Sequence, residues 1–191
     1  MSEKLMETTF RNALWQQFGA AITMLENALL ACPASLWEER IWHTNPDQSQ
    51  PSEEATFWSV TYHALFWIDL YLTGSNEGFA PPAPFTRHEA EAESDLPTRR
   101  YTQEELRGYL VHLREKCQTT LTGLSDERAR QQVTFPWFGG TFLSFLELQL
   151  YNMRHVQEHA AQLSLFLGQH AIPDEVLDWV AQAQDESSSH P

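Results

Sequence analysis

The chain is poor in positive charge. Its 191 residues carry only 12 Lys and Arg against 26 Asp and Glu, a formal net charge of −14. That argues against sequence-independent binding to nucleic acid or anionic lipid, which needs clustered Lys and Arg. Cysteine is also scarce. Cys32 and Cys117 are the two present, without CxxC or zinc-ribbon spacing. They read as reduced thiols acting as small buried hydrophobes rather than a disulfide framework. No apolar run approaches the 18 or so residues of a membrane span, and Ala64 to Leu72 is interrupted by Asp69. The start, Met1-Ser2-Glu3-Lys4-Leu5, lacks a basic segment followed by an apolar one, so no signal peptide is expected and the expected compartment is the cytoplasm. A repeat of strand-like alternation is missing too.

What the chain does have is a globular composition, 42% hydrophobic with seven tryptophans. Its length fits one domain able to bury a real core. The periodicity predicts four long helices. The first runs from about Lys4 to Ala31, with Leu14, Phe18, Ile22, Leu25 and Leu29 on its apolar face, and Pro33 blocks its continuation. A wet stretch, His43 to Pro51, follows. The second helix is expected over Glu53 to Leu72, with Ser52 as cap, Glu53 and Glu54 complementing the dipole, and Thr73-Gly74 as its end. The third opens on a capping box, Thr102-Gln103-Glu104-Glu105, and closes near Gly123. The fourth is expected after Gly139-Gly140, capped by Thr141, and ends at Gly168. Between the last two, Gln132 to Phe135 has β character that Pro136 confines to an edge or loop.

This pattern predicts an all-α fold, a four-helix bundle over residues 1–170 with long connecting loops. A short C-terminal helix (Asp174 to Ala183) and a frayed tail make up residues 171–191. Residues Ser75 to Arg100 stand out, with Pro81, Pro82, Pro84 and Pro97 and an acidic run of Glu89, Glu91, Glu93 and Asp95. A connection this long is a functional cover or a solvated excursion, and the second reading is favoured.

The chemistry-bearing motif is His155-Val156-Gln157-Glu158-His159. At about 100° per residue, positions i and i+4 fall about 40° apart, so both imidazoles leave one helical face on adjacent turns. Leu148, Tyr151, Asn152, Gln162 and Phe166 share that face. His63 lies mid-way along the second helix among Val60, Phe66, Trp67 and Leu70. Inward-facing imidazoles need a partner for each nitrogen, and a divalent cation is one such partner. On spacing alone the alternative stays open, that each is a hydrogen-bonded or surface histidine.

One histidine within Tyr62-His63-Ala64-Leu65-Phe66-Trp67 and a His-x-x-x-His in the last helix make the chain resemble the DinB / YfiT-like superfamily of four-helix metalloproteins. The likeness runs from about Met6 to Gly168. Gln162-Leu163 also resembles the Gly-Gln-Leu that often follows the last ligand, with Ala161 where glycine is common. The resemblance implies an up-down-down-up bundle, often a homodimer, with His63, His155 and His159 as ligands of one divalent ion (Zn, Ni or Fe). It further implies, for some members, a thiol-dependent transferase or isomerase using glutathione, mycothiol or bacillithiol.

Three nitrogens leave a coordination position open, the mark of a catalytic-type rather than a structural site. The leading expectation is therefore a metal-dependent enzyme of thiol S-transferase type, taking a small-molecule substrate and a low-molecular-weight thiol. The alternatives are a metal-dependent hydrolase and a non-catalytic bundle that binds a metal or small ligand or dimerises. Glu158 is a candidate acceptor for a ligand's second nitrogen, although a solvated surface position suits it as well. Asn152 and Gln162 could orient an imidazole. Trp37, Trp42, Trp58, Tyr62 and Trp67 could line a pocket, but aromatics at helical spacing more often build a core.

Overall fold

A computed structural model describes residues 3–42, 55–90, 99–173 and 181–183. It contains four long helices, α1 (Glu3–Ala31), α2 (Phe57–Thr73), α3 (Gln103–Thr122) and α5 (Phe145–Gln169), and a short one, α4 (Asp126–Arg130). Two strands, β1 (Gln132–Val133) and β2 (Leu143–Ser144), pair antiparallel. Among the described residues no helix is long and apolar enough to cross a membrane.

Helix α1 packs on α3 and α5, and α2 packs on the same two, so α1 and α2 sit at opposite corners. Side-chain bonds fix the directions. Gln103 at the start of α3 donates to Leu29 O near the end of α1, and Arg11 near its start donates to Leu124 O just past α3. These helices are therefore antiparallel. Tyr62 meets Tyr101 while Lys116 meets Thr73, so α2 and α3 are parallel. Asn152 reaches Ile68 O, and Phe57 meets Phe166, so α2 and α5 are antiparallel. The order is up-down-down-up, as the resemblance implied.

The core is the inward stripe of all four helices, with Ile22, Leu25, Phe57, Phe66, Leu110, Leu113, Leu148 and Leu163 fully buried. Burying each such side chain stabilises the fold by roughly 1.5–3 kcal/mol before entropy is counted. The apolar face expected for α1 is this stripe: Leu14, Phe18, Ile22, Leu25 and Leu29 are all buried. Both cysteines are buried free thiols. Burial pushes Cys32 up to about 12 and raises Cys117 as well, so neither is a thiolate at neutral pH.

Two helix starts differ from expectation and one helix is additional, each for a local reason. Helix α2 starts at Phe57, because Ile41 N–H bonds Ala55 O (2.8 Å) and Arg40 bridges Thr56, which holds that stretch extended. Its capping pair is Thr56 and Ser59, with Ser59 Oγ accepting from Thr56 N–H at 3.1 Å. The expected cap Ser52, with Glu53, Glu54 and the His43 to Pro51 stretch, lies outside the described residues. Helix α5 starts at Phe145, not after Thr141, because Leu143–Ser144 first pairs with β1. Ser144 then caps it: its Oγ accepts from Glu147 N–H at 3.2 Å, and Glu147 carboxylate accepts from Ser144 N–H at 2.7 Å. Helix α4, too short to show a period, was not foreseen. Ser125 caps it, and Arg128 donates to Thr73 O at 2.9 Å, placing a cation at the α2 C-terminus. The expected C-terminal helix lies mostly outside the described residues.

The Ser75 to Arg100 connection is not a solvated excursion over its described part. Phe79 and Phe85 are buried, and Phe85 stacks on Tyr109 at 4.4 Å and on Tyr62 at 5.9 Å. Tyr62 OH donates to Thr86 O at 2.8 Å, and Arg87 donates to Asn76 Oδ1 at 3.0 Å. Two aromatic anchors supply the burial that the proline count concealed. Glu91, Glu93, Asp95 and Pro97 lie outside the described residues.

Candidate metal centre

Because α2 and α5 run antiparallel, the middle of one faces the middle of the other. That register brings His63 against His155 and His159, with ring centroids 5.2 and 4.9 Å away, and the two α5 rings 4.5 Å apart. One nitrogen from each ring lies within 4.8 Å of the others. Among the described residues no fourth His, Cys, Asp or Glu joins this set.

The side-chain partners of the ring nitrogens define the tautomers. His159 Nδ1 lies 2.8 Å from Gln162 Oε1, an acceptor, so Nδ1 carries the proton and Nε2 a lone pair. His155 Nε2 is 3.0 Å from His159 Nε2 and must then donate to it. His155 Nδ1 is consequently bare, and it is buried with no hydrogen-bond partner. His63 Nδ1 lies 2.8 Å from Glu89 Oε2 and 3.2 Å from Trp67 Nε1. Burial, then the neighbouring His159 and His63, pulls His155 from 6.5 down to about 3. Burial and His63 lower His159. Neutral imidazole is the form that ligates a metal.

The donor set fits a divalent ion. At nitrogen–metal distances of about 2.0–2.1 Å, tetrahedral ligand nitrogens stand about 3.3 Å apart. The 3.0 Å pair and the 4.8 Å limit bracket that separation, so small side-chain rotations suffice. The orphaned nitrogen of His155 marks a cluster whose hydrogen bonds do not close by themselves.

A family model described as the DinB superfamily matches residues 17–163, spanning both helices that carry the histidines. The chain belongs to the DinB superfamily. No curated protein and no solved structure matches it.

Within this DinB fold the other candidate residues divide. Gln162 meets a ring nitrogen of His159. Asn152 is fully buried but donates to Ile68 O at 3.3 Å, tying α5 to α2 instead of touching a histidine. Glu158 is exposed. Trp58 and Tyr62 are core, Trp37 packs against the core and donates to Tyr101 O, and Trp42 is exposed. Sequence reasoning missed Glu89, since nothing in its spacing separates it from Glu91 or Glu93. Of the aromatic wall beside the centre it named Trp67 and Tyr151 but missed Trp137 and Tyr71. Trp67 meets Trp137 at 4.9 Å, Trp137 donates to Tyr71 OH at 3.1 Å, and Tyr151 stacks on His155 at 6.3 Å. Trp137 comes from the turn after β1, whose return through β2 no helical period announces.

Proposed function

We propose that His63, His155 and His159 hold one divalent ion, zinc, nickel or iron, and that the protein is a thiol S-transferase working on a small electrophilic substrate. The observation that carries the reading is the convergence of three imidazoles whose ligand atoms lie within 4.8 Å of one another, with no fourth His, Cys, Asp or Glu in that donor set among the described residues. An ion held there would supply a Lewis acid favouring the thiolate of a low-molecular-weight thiol near neutral pH.

Thiol transfer is preferred to hydrolysis on the family resemblance, since an ion there would lower the pKa of a bound water as well as that of a bound thiol. Glu89 meets His63 Nδ1 at 2.8 Å and Glu158 is exposed, so neither stands as a free base at the centre. In the overall step the thiol proton passes to water, and a sulfur electron pair forms a bond to the electrophilic carbon. The leaving group departs with its bonding pair. The aromatic wall of Trp67, Trp137 and Tyr151 offers apolar surface to the substrate, and burial pushes the Tyr71 hydroxyl up, keeping it a neutral phenol.

The test begins with metal analysis of protein purified without a nickel column or His-tag. Conjugation of a generic electrophile is then assayed with glutathione, mycothiol and bacillithiol. Turnover that depends on one thiol and is lost in His63→Ala supports the transferase. Retained metal without turnover by any thiol moves the assignment to hydrolysis or a binding role.

A further inference from the structure

Two groups compete for one atom of His63. Glu89 Oε2 stands 2.8 Å from Nδ1, and Trp67 Nε1 stands 3.2 Å from the same nitrogen. An ionised carboxylate requires a proton on Nδ1; an indole N–H requires a lone pair there. In neutral His63 the two demands select opposite tautomers. With Glu89 satisfied, Nε2 holds the lone pair and can ligate. With Trp67 satisfied, Nε2 carries the proton and cannot.

The competitors are delivered differently. Trp67 sits one turn along α2 from His63, so its indole is at hand whatever the rest of the chain does. Glu89 arrives from 26 residues away, on the connection that Phe85 and Thr86 pin to Tyr62. Its side chain is 16% exposed and that of His63 34%, so the pair is partly withdrawn from water. The shorter distance and the charge on the acceptor favour Glu89, since charge-assisted hydrogen bonds are roughly twice as strong as neutral ones.

We infer that Glu89 is a positioning residue: the connection after α2 uses it to hold His63 in the ligating tautomer against the pull of Trp67. The consequence for metal affinity rests on the proposed centre, whereas the tautomer is a property of the metal-free protein. Acceptors behind ligating histidines are typically worth about 10–100-fold in metal affinity.

The experiment reads both. The ring nitrogens of His63, identified by their loss in His63→Ala, are followed by long-range ¹H–¹⁵N correlation in metal-free protein, and zinc is titrated separately. Wild type is expected to show Nδ1–H. Glu89→Ala and Glu89→Met should shift His63 towards Nε2–H and weaken zinc binding about 10–100-fold. Adding Trp67→Phe to Glu89→Ala should recover part of both changes, because the opposing donor is gone. Glu89→Gln, which keeps an acceptor oxygen, should retain more Nδ1–H than Glu89→Ala. Glu89→Met covers the case in which the alanine variant does not fold. The same tautomer in wild type and in the folded Glu89 variants overturns the inference. A wild type that binds no zinc overturns the proposed centre instead, and the spectra still decide the role of Glu89.

Discussion

The Nε2 atoms of His155 and His159 face each other 3.0 Å apart, one turn apart on α5. Without an ion, one of them must donate to the other, and His155 Nδ1 is left buried with no partner. An unsatisfied buried group costs on the order of 1–3 kcal/mol. The metal-free bundle therefore carries a local defect; coordination through both Nε2 atoms would relieve their mutual contact but move the His155 proton to the unpartnered Nδ1, so the ligand bonds themselves would have to offset that defect.

Metal binding to the folded state alone should then show in melting. At free ion about 100-fold above Kd, the gain is about 2.7 kcal/mol. Added zinc should raise Tm and a chelator should lower it, while His159→Ala should lose the response and keep its helicity by circular dichroism. Identical zinc responses in wild type and His159→Ala would show that this cluster is not where the ion binds.

The pH dependence of the metal-free protein has a definite sign. Folded His155 takes up a proton only near pH 3, whereas the unfolded ring does so near 6.5, so the unfolded state binds more protons between those values. Stability is fully present above pH 6.5 and is lost as pH falls through that window. Near pH 5, about 1.5 units below the unfolded value, the loss is about 2 kcal/mol. His159, also lowered, adds in the same sense. Urea midpoints near pH 7.5 and near pH 5 should differ less in His155→Leu than in wild type. An equal drop in both would place the acid sensitivity elsewhere.

Much of this was legible in the sequence because helix periodicity is a local signal. The α1 stripe from Leu14 to Leu29 and the Thr102–Glu105 capping box needed nothing beyond their own neighbours. The meeting of His63 with His155 and His159 came through the resemblance, which supplied the register that spacing alone cannot. What escaped depends on contacts across the chain. Thr141 lost the cap to Ser144 because β2 pairs with β1 before the helix can begin. Glu89 could not be singled out because its partner lies 26 residues upstream and its own surroundings are proline and acid.

A buried polar network ties α2 to α3 independently of any metal. Asp69, 2% exposed, accepts from Lys116 Nζ at 2.5 Å and from Tyr109 OH at 2.7 Å. The Lys116 side chain is 29% exposed against 3% for that of Asp69, so the two partners differ in how easily water can replace the loss. Lys116→Met strands a buried carboxylate and should cost about 3–5 kcal/mol. Asp69→Asn keeps a partner for Tyr109 and lets the lysine turn to solvent, so about 1–2 kcal/mol is expected. Denaturant unfolding at neutral pH ranks the two, and the reverse order would show that Lys116 is not the partner on which the buried Asp69 depends.

The seating of the connection after α2 bears on the centre. Phe85 touches none of the three histidines in the observed ring contacts, yet it packs against Tyr62, Tyr101 and Tyr109 and so anchors the segment that carries Glu89. Phe85→Ala should cost about 3–5 kcal/mol if the cavity does not collapse, and less if the segment detaches, since the freed chain regains entropy. Detachment has a second signature. Once Glu89 is no longer held at His63, zinc affinity should fall in the same direction as in Glu89→Ala. The double variant Phe85→Ala with Glu89→Ala should then bind zinc no more weakly than Glu89→Ala alone, because both remove one interaction. Additive losses in zinc affinity would mean that Phe85 acts on the centre by some route other than Glu89, and unchanged affinity in Phe85→Ala would mean that the connection stays seated without its anchor.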